Sequence, residues 1–280
     1  MSAPVSVITG GAGGMGLATA RLLGRRGKVM LCDLDADAVE QAAADLRTQG
    51  VDAESATCDI TDKASVDEVL RRASDLGDVR SIVHTAGLSP LMGSADRIIR
   101  VNALGTVNVV NAAHRVASPD LAVVLVASIA GHLLPRPFVP MRQYKYADTD
   151  LPRFAKALTR AATRGPKSMH SASAYSISKN FVIWYAKNQA KRFGARSSRI
   201  LSVSPGSFDT TMGRLEIQNG AERILQFAAL PRFGHPEEIA ELLAFCASER
   251  ASYLTGTDIL CDGGTVAGTR SVDLIRTLWS

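Results

Sequence analysis

What the chain lacks narrows its class before any motif is read. It has four cysteines, Cys32, Cys58, Cys246 and Cys261. They lie far apart in apolar surroundings and show no metal-binding or redox spacing. They read as buried thiols in a reducing cytoplasm. The five histidines are scattered, which argues against a histidine-rich metal site. No basic segment stands before the first apolar stretch, which follows Met1-Ser2-Ala3-Pro4, so no secretory signal is expected. The longest apolar run near the middle, 121–127, is far short of a membrane-spanning helix. There is no internal repeat, low-complexity tract or linker. The 280 residues, 46% of them hydrophobic, therefore read as one large α/β domain over 1–280.

Charge of one sign is concentrated in one place. Residues 133–170 contain eight basic residues (Arg136, Arg142, Lys145, Arg153, Lys156, Arg160, Arg164 and Lys167) and two acids, Asp148 and Asp150. That is +6 of a formal net charge of +5, so the rest of the chain sums to −1. The surplus belongs to one segment and is no global nucleic-acid signature.

Apolar strands alternate with helical periodicity through the first half. Strands are expected over 5–9, 28–32, 53–58, 79–84 and 121–127, with helices over 17–26, 35–48, 65–76 and within 95–116. Ser65 and Glu68 have capping-box spacing. Later segments read as a helix over 171–193, a strand over 200–203, a helix over 236–247 and a last strand over 258–261. This order predicts a doubly wound, Rossmann-like parallel sheet of about seven strands with helices on both faces. Ligands in such sheets lie beyond the carboxyl ends of the strands. Asp33, Asp59, Ala86-Gly87 and Ser128 all fall at or just past strand ends.

The turn Gly10-Gly11-Ala12-Gly13-Gly14-Met15-Gly16 admits two alignments. Gly11, Gly13 and Gly16 fit G-x-G-x-x-G; Thr9-Gly10 with Gly14 and Gly16 fits T-G-x-x-x-G-x-G. Either lets backbone approach a pyrophosphate at a helix N-terminus. A methyltransferase would also place a glycine loop before an acid. Asp33, followed by Leu34, ends the next strand. It is placed to accept hydrogen bonds from an adenosine ribose, or to cap the following helix. A carboxylate there repels a 2′-phosphate, and no lysine or arginine stands nearby to neutralise one, so NAD is expected over NADP.

Tyr175-Ser176-Ile177-Ser178-Lys179 puts a tyrosine and a lysine one helical turn apart on one face. An ammonium beside a phenol favours the phenolate. Lowering a tyrosine pKa by three units takes about 4 kcal/mol of differential stabilisation. Such a pair can act as an acid/base near neutral pH; it is also a spacing that two unrelated residues on one helix share by chance.

The joint order of these pieces resembles the short-chain dehydrogenase/reductase family over nearly the whole chain. The matching parts are Thr9-Gly10-x-x-x-Gly14-x-Gly16, Cys58-Asp59-Ile60, Ala86-Gly87, Asn102, Ser128-Ile129-Ala130-Gly131, Tyr175-x-x-x-Lys179, Ser204-Pro205-Gly206 with Thr210, and Asp262-Gly263-Gly264. The resemblance implies that Tyr175 is the general acid/base, that Lys179 binds the nicotinamide ribose and lowers the Tyr175 pKa, and that Ser128 hydrogen-bonds the substrate oxygen. It implies that Asn102 holds a water leading from Lys179 to solvent. Gly10, Gly14, Met15 and Gly16 would cradle the pyrophosphate, and Asp33 and Leu34 the ribose. Asp59 and Ile60 would meet the adenine, and Ala86 and Gly87 would let the adenosine ribose lie close. The loop of Pro205, Gly206, Phe208 and Thr210 would hold the carboxamide. The methyltransferase has no use for the tyrosine–lysine pair.

The sequence departs from that family in two places. His84 and Thr85 stand where the family usually has asparagine before its Ala-Gly, so the central strands must be tied together differently. Residues 133–170 make an insertion of roughly 30 residues before Tyr175, long enough for structure of its own. Asp150 and Pro152 can start a helix there that Gly165-Pro166 stops, with Leu151, Phe154, Leu158 and Ala162 as its apolar stripe. The insertion resembles that of the 3α-hydroxysteroid dehydrogenase/carbonyl reductase subgroup, which implies a lid or a subunit interface. Together these readings give an NAD-dependent oxidoreductase of secondary alcohols and ketones, steroid-like or otherwise hydrophobic. A 3-hydroxyacyl thioester dehydrogenase and a non-catalytic NAD-binding regulator are the alternatives. A homodimer or homotetramer is expected. Specificity is expected from 89–94, 208–229, the insertion and the tail 265–280.

Overall fold

The structure, a computed structural model, describes residues 3–218 and 221–269. The chain runs β1 (Pro4–Thr9), α1 (Gly14–Leu23), β2 (Lys28–Asp33), α2 (Ala36–Thr48), β3 (Ala53–Thr57), α3 (Lys63–Leu76), β4 (Asp78–His84), α4 (Ala95–Ile99), α5 (Gly105–Arg115) and β5 (Ala122–Val126). It continues α6 (Ala130–Leu133), α7 (Met141–Tyr144), α8 (Leu151–Ala162), α9 (His170–Gly194), β6 (Arg199–Pro205), α10 (Thr211–Gln218), α11 (Pro236–Ala247), β7 (Asp258–Cys261) and α12 (Thr265–Gly268). Most of the last segment expected to carry specificity, 270–280, lies outside the described residues.

The seven strands form one parallel sheet in the order β3-β2-β1-β4-β5-β6-β7. Strand order reverses between β1 and β4, which opens a crevice past their carboxyl ends. Alternate residues feed two cores. Val7, Met30, Val123 and Leu125 lie in the core with α3, α5 and α9. Ile8, Leu31, Val83, Val124 and Leu201 face α1, α2 and α11. Both faces of the central strands are therefore dry, which is why 121–127 is aliphatic without interruption.

Three local expectations are corrected. The helix over 63–76 is capped by Asp62, whose carboxylate accepts the Ala64 N–H. Ser65 makes no capping box; its hydroxyl accepts the Asp59 N–H at 3.1 Å. The helix within 95–116 is regular only at its ends: α4 and α5 are joined by a π-helical turn over 100–104. The strand expected over 200–203 runs on to Pro205 and pairs Pro205 with Cys261. Its serines look unsuited to a buried strand, but Ser202 and Ser204 are satisfied inside by Asp258.

The insertion folds as its sequence pattern predicts. Asp150 caps α8 by accepting the Arg153 N–H at 3.0 Å, and Phe154, Leu158 and Ala162 are buried. They meet the outer face of α9, where Phe154 and Phe181 lie 4.6 Å apart between ring centroids. Tyr144 packs edge-on against Phe181 at 5.2 Å and tilted on Trp184 at 5.3 Å. So α9 is apolar nearly all round because β6 covers one side and the chain's own insertion covers another. Arg153 stacks over Tyr146 at 4.0 Å, with its charge kept outside. Deleting the Phe154 ring should cost about 3–5 kcal/mol, the usual range for a fully buried phenylalanine. Denaturant unfolding of Phe154→Ala will read this; a loss under about 1 kcal/mol would mean that α8 is not part of the core.

Candidate functional site

One cleft of about 720 Å³ lies past the carboxyl ends of β1, β2, β4, β5 and β6. That size suits a small-molecule or cofactor site. The glycine turn forms one wall. Gly10 (φ +71°) and Gly14 (φ +52°) occupy the left-handed region. A Cβ on Gly10 would meet Thr85 Oγ1 at 2.7 Å and the Ala86 N at 2.8 Å. A Cβ on Gly16 would lie 2.2 Å from the Gly10 carbonyl oxygen, whereas one on Gly13 meets nothing within 4 Å. The most constrained positions, Gly10, Gly14 and Gly16, are those of the T-G-x-x-x-G-x-G alignment, although a Cβ on Gly11 would also press on the Ile8 carbonyl at 3.0 Å. No side chain caps the N-terminus of α1, and no acid occupies its first turn. That end is fit to receive an anion.

Asp33 ends β2 at the same cleft. Its carboxylate accepts the Ala12 N–H at 3.2 Å and the Leu34 N–H at 2.8 Å. The cap of α2 is Asp35 instead, which accepts the Ala38 N–H. Asp59 turns its own loop, accepting the Thr61 N–H and hydroxyl at 2.8 and 2.7 Å. Asn108 on α5 holds that loop from behind by donating to the Ile60 and Thr61 carbonyls. Burial pushes the Cys58 thiol up to about 11, helped less by Asp59 and Asp33. It pushes Cys32 well above the ordinary range. Both thiols line the cleft yet are poor nucleophiles.

At the end of β4, His84 and Thr85 make the ties between strands. The Thr85 hydroxyl donates to the Thr9 carbonyl at 2.7 Å. His84 is buried between Thr9 Oγ1 at 2.7 Å and Thr106 Oγ1 at 3.1 Å. Thr106 gives its own hydroxyl proton to the Asn102 carbonyl. His84 must therefore donate from Nε2 and accept at Nδ1 from Thr9. Burial, and then the nearby Lys179 charge, lower its pKa to about 3. His84 is a neutral structural group, not an acid/base.

Asn102 sits in the π-turn. Its side chain exchanges hydrogen bonds with the Leu88 N–H (2.8 Å) and carbonyl (2.9 Å) and reaches Ser178 Oγ at 3.3 Å. It ties the loop after β4 to α9 and does not itself line the cleft. Tyr175, Lys179 and Ser128 do line it, as do Gly10, Gly14, Met15, Asp33, Leu34, Asp59, Ile60, Ala86, Gly87, Pro205, Gly206, Phe208 and Thr210. Of the expected residues, Gly16 and Asn102 alone stand behind the wall. Lys179 is 6% exposed. Its ammonium donates to the Val126 carbonyl at 3.0 Å and lies 5.8 Å from the Tyr175 ring centroid. The Ser128 hydroxyl accepts the Ala130 N–H at 3.2 Å, and Ile129 N–H donates to the Pro205 carbonyl. No residue of 133–170 lines the cleft, so the expected lid over the pocket is not formed by the described residues.

Several groups that shape the site were not evident from the sequence. His132, just past the Ser128 turn, binds Asp258 at 2.8 Å and Ser204 at 3.2 Å. Burial opposes ionisation of Asp258, but His132, Ser202 and Ser204 outweigh it and hold its carboxyl below the ordinary range. Asn180 donates to the Gly131 carbonyl, and Tyr144 donates to Asn180. Polar residues in otherwise apolar elements were the only signal for any of them. Among the described residues no cluster of His, Cys, Asp or Glu could hold a metal ion, and no helix is long and apolar enough to cross a membrane.

Comparison with known proteins agrees with this architecture. The family model for short chain dehydrogenases matches residues 4–142, and that for enoyl-(acyl carrier protein) reductases matches 140–266. A short-chain dehydrogenase/reductase of Alternaria brassicicola, bsc3, is 30% identical over 261 residues, covering 92% of this chain and 94% of its own. A cis-4-hydroxycyclohexanecarboxylate dehydrogenase of Sinomonas cyclohexanicum is 28% identical, covering 94% and 96%. Among solved structures, levodione reductase superposes with a TM-score of 0.74 at 23% identity, over 95% of this chain and 98% of its own.

The neutral His84 has a consequence for stability. Its folded-state pKa of about 3 lies below an unfolded value near 6.5. Its contribution is therefore complete above pH ~6.5 and is lost as pH falls toward 3, by about 1.4 kcal/mol per pH unit. Unfolding free energies measured from pH 7 to 5 should fall more steeply for the wild type than for His84→Gln. Parallel curves would show that His84 is not held neutral.

Proposed function

This chain belongs to the short-chain dehydrogenase/reductase family, and on that premise we propose that it is an NAD-preferring dehydrogenase interconverting a hydrophobic secondary alcohol and its ketone. The observation that carries the reading is the convergence of Ser128, Tyr175 and Lys179 on the same cleft as the Gly10–Gly14 turn and Asp33.

The residues present fit a nicotinamide dinucleotide. Gly10, Gly14, Met15 and Gly16 would hold its pyrophosphate at the uncapped start of α1. Asp33 and Leu34, with Ala86 and Gly87, would hold the adenosine ribose, and Asp59 and Ile60 the adenine. Pro205, Gly206, Phe208 and Thr210 would hold the carboxamide. The bound nicotinamide supplies the hydride acceptor or donor. In alcohol oxidation Tyr175 Oη takes the hydroxyl proton; in ketone reduction it returns one to the carbonyl oxygen. Lys179 favours the phenolate by its charge. The Ser128 hydroxyl donates to the substrate oxygen as charge develops there. Asn102 keeps the loop after β4 against α9.

The preference for NAD rests on charge. Asp33 is fixed at the cleft by two backbone N–H groups, and Asp35 also lines it. A 2′-phosphate there would face carboxylate. Leu88, Met92, Phe208 and Leu215 line the remaining space, which favours an apolar substrate. A hydroxyacyl thioester or hydroxy acid is a second reading, favoured by Arg97, an arginine lining the cleft. A cytoplasmic homo-oligomer fits the reduced thiols and the family's habit.

Two measurements test this. A spectroscopic screen for NADH across neutral and acidic alcohols should find turnover, and Tyr175→Phe should lower kcat roughly 10²–10⁴-fold while leaving NAD affinity within about threefold. Equal rates would favour a dinucleotide-binding regulator. Asp33→Ala should erode the preference for NAD over NADP by roughly tenfold or more, the effect of about 1.4 kcal/mol; an unchanged ratio would remove Asp33 as the discriminating group.

A further inference from the structure

The turn that carries Ser128 is gripped at both ends by two consecutive residues of α9. Lys179 Nζ donates to the Val126 carbonyl at 3.0 Å. Asn180 Nδ2 donates to the Gly131 carbonyl at 2.7 Å. The approach is close: a Cβ on Gly131 would lie 2.8 Å from the backbone of Lys179 and Asn180. Within the turn, Gly131 N–H bonds the Ser128 carbonyl and Ala130 N–H bonds its hydroxyl oxygen. A shift of the Gly131 end is therefore passed directly to Ser128.

Asn180 does not orient itself. An amide can present its nitrogen or its oxygen to a neighbour, and the two choices differ by a flip about one bond. Here the Gly131 carbonyl, which can only accept, takes Nδ2 and turns Oδ1 toward Tyr144. The Tyr144 hydroxyl, with one proton to give, lies 3.0 Å from Asn180 Oδ1 and 3.3 Å from the Ile177 carbonyl and braces the amide from behind. Tyr144 is fully buried, and burial pushes its phenol well above the ordinary tyrosine range, so it keeps its proton. It belongs to the insertion. The insertion lines no part of the cleft, yet through this hydroxyl it reaches the site from behind.

We propose that Tyr144 and Asn180 are positioning residues. The chain Tyr144–Asn180–Gly131 fixes the distance between Ser128 and the Tyr175–Lys179 face of α9. Nothing in the basic surface of α8 is needed for this; the insertion acts through one buried hydroxyl. The catalytic arm of the test rests on the function proposed above, and the exchange arm does not.

The exchange arm uses the whole protein without ligand. Hydrogen–deuterium exchange of peptides covering 129–134 should quicken at least tenfold in Asn180→Ala and severalfold in Tyr144→Phe, while β6 and β7 are unchanged. Tyr144→Phe keeps the packing on Phe181 and Trp184, so it remains informative if Asn180→Ala folds poorly. Unchanged exchange in both variants overturns the proposal. The catalytic arm is a double-mutant cycle on a substrate that the wild type turns over. Asn180→Ala should lower kcat roughly tenfold and Tyr144→Phe severalfold, with the KM for NAD within about twofold. In a Ser128→Ala background neither should cost more than about twofold, because both act through Ser128. Full losses repeated in that background, or losses confined to KM for NAD, would overturn the proposal. Absence of wild-type turnover on every alcohol would count against the proposed function and leave the exchange result to decide this one.

Discussion

The burial of one ammonium group sets terms for everything around it. Lys179 is 6% exposed on a helix packed against the sheet. Taking such a charge out of water costs several kcal/mol unless polar groups replace the water. The Val126 carbonyl at the end of β5 is one such group, and the cleft in front leaves room for more. The charge in turn dictates its neighbours. Gly87 lies beside it: a Cβ there would press on Asn102 Oδ1 at 3.2 Å and come into ordinary contact with Nζ at 3.5 Å. His84 must stay neutral, and Lys179 is one of the two causes that hold it so. A strand end, a core histidine and a helix are thus fixed with respect to one cation.

Much of the fold could be read from the chain because the parallel sheet writes itself in aliphatic runs and strand-end acids. The stretch 121–127 is covered on both faces, and Asp33, Asp59 and Ser128 do fall on one rim. Where the reading failed, local chemistry competed with pattern. Ser65 and Glu68 have the right spacing for a capping box, but Asp62 lies nearer the helix start and takes the exposed N–H. The strand was expected to end at 203, and only the buried Asp258, more than fifty residues away, shows why Ser204 can continue it. The π-turn leaves no mark in a hydrophobicity pattern, since it adds a single residue to an otherwise amphipathic helix.

The candidate site was legible where its residues are motifs and illegible where they are supports. Tyr175, Lys179, Ser128 and the glycine turn announce themselves by spacing. Asn180, Tyr144, Asn108 and His132 do not, because each meets its partner across 33 to 126 positions of sequence. The insertion shows the same split. Its helix, cap and apolar stripe follow from local sequence, whereas its position could not be guessed. It lies on the outer face of α9, where its Phe154 and Tyr144 cover Phe181 and Trp184.

The π-turn over 100–104 has a consequence for how this chain tolerates change in length. Each residue advances a helix by roughly 100°, so the surplus residue there sets the azimuth of Asn102 with respect to Thr106 and everything after it. Excising one residue would restore a regular helix and swing α4 about its axis by that amount. Asn102 would leave Leu88, and Val101 would leave the cleft. The loops on either side of the helix can gain or lose residues at the surface, but this stretch must keep its odd count.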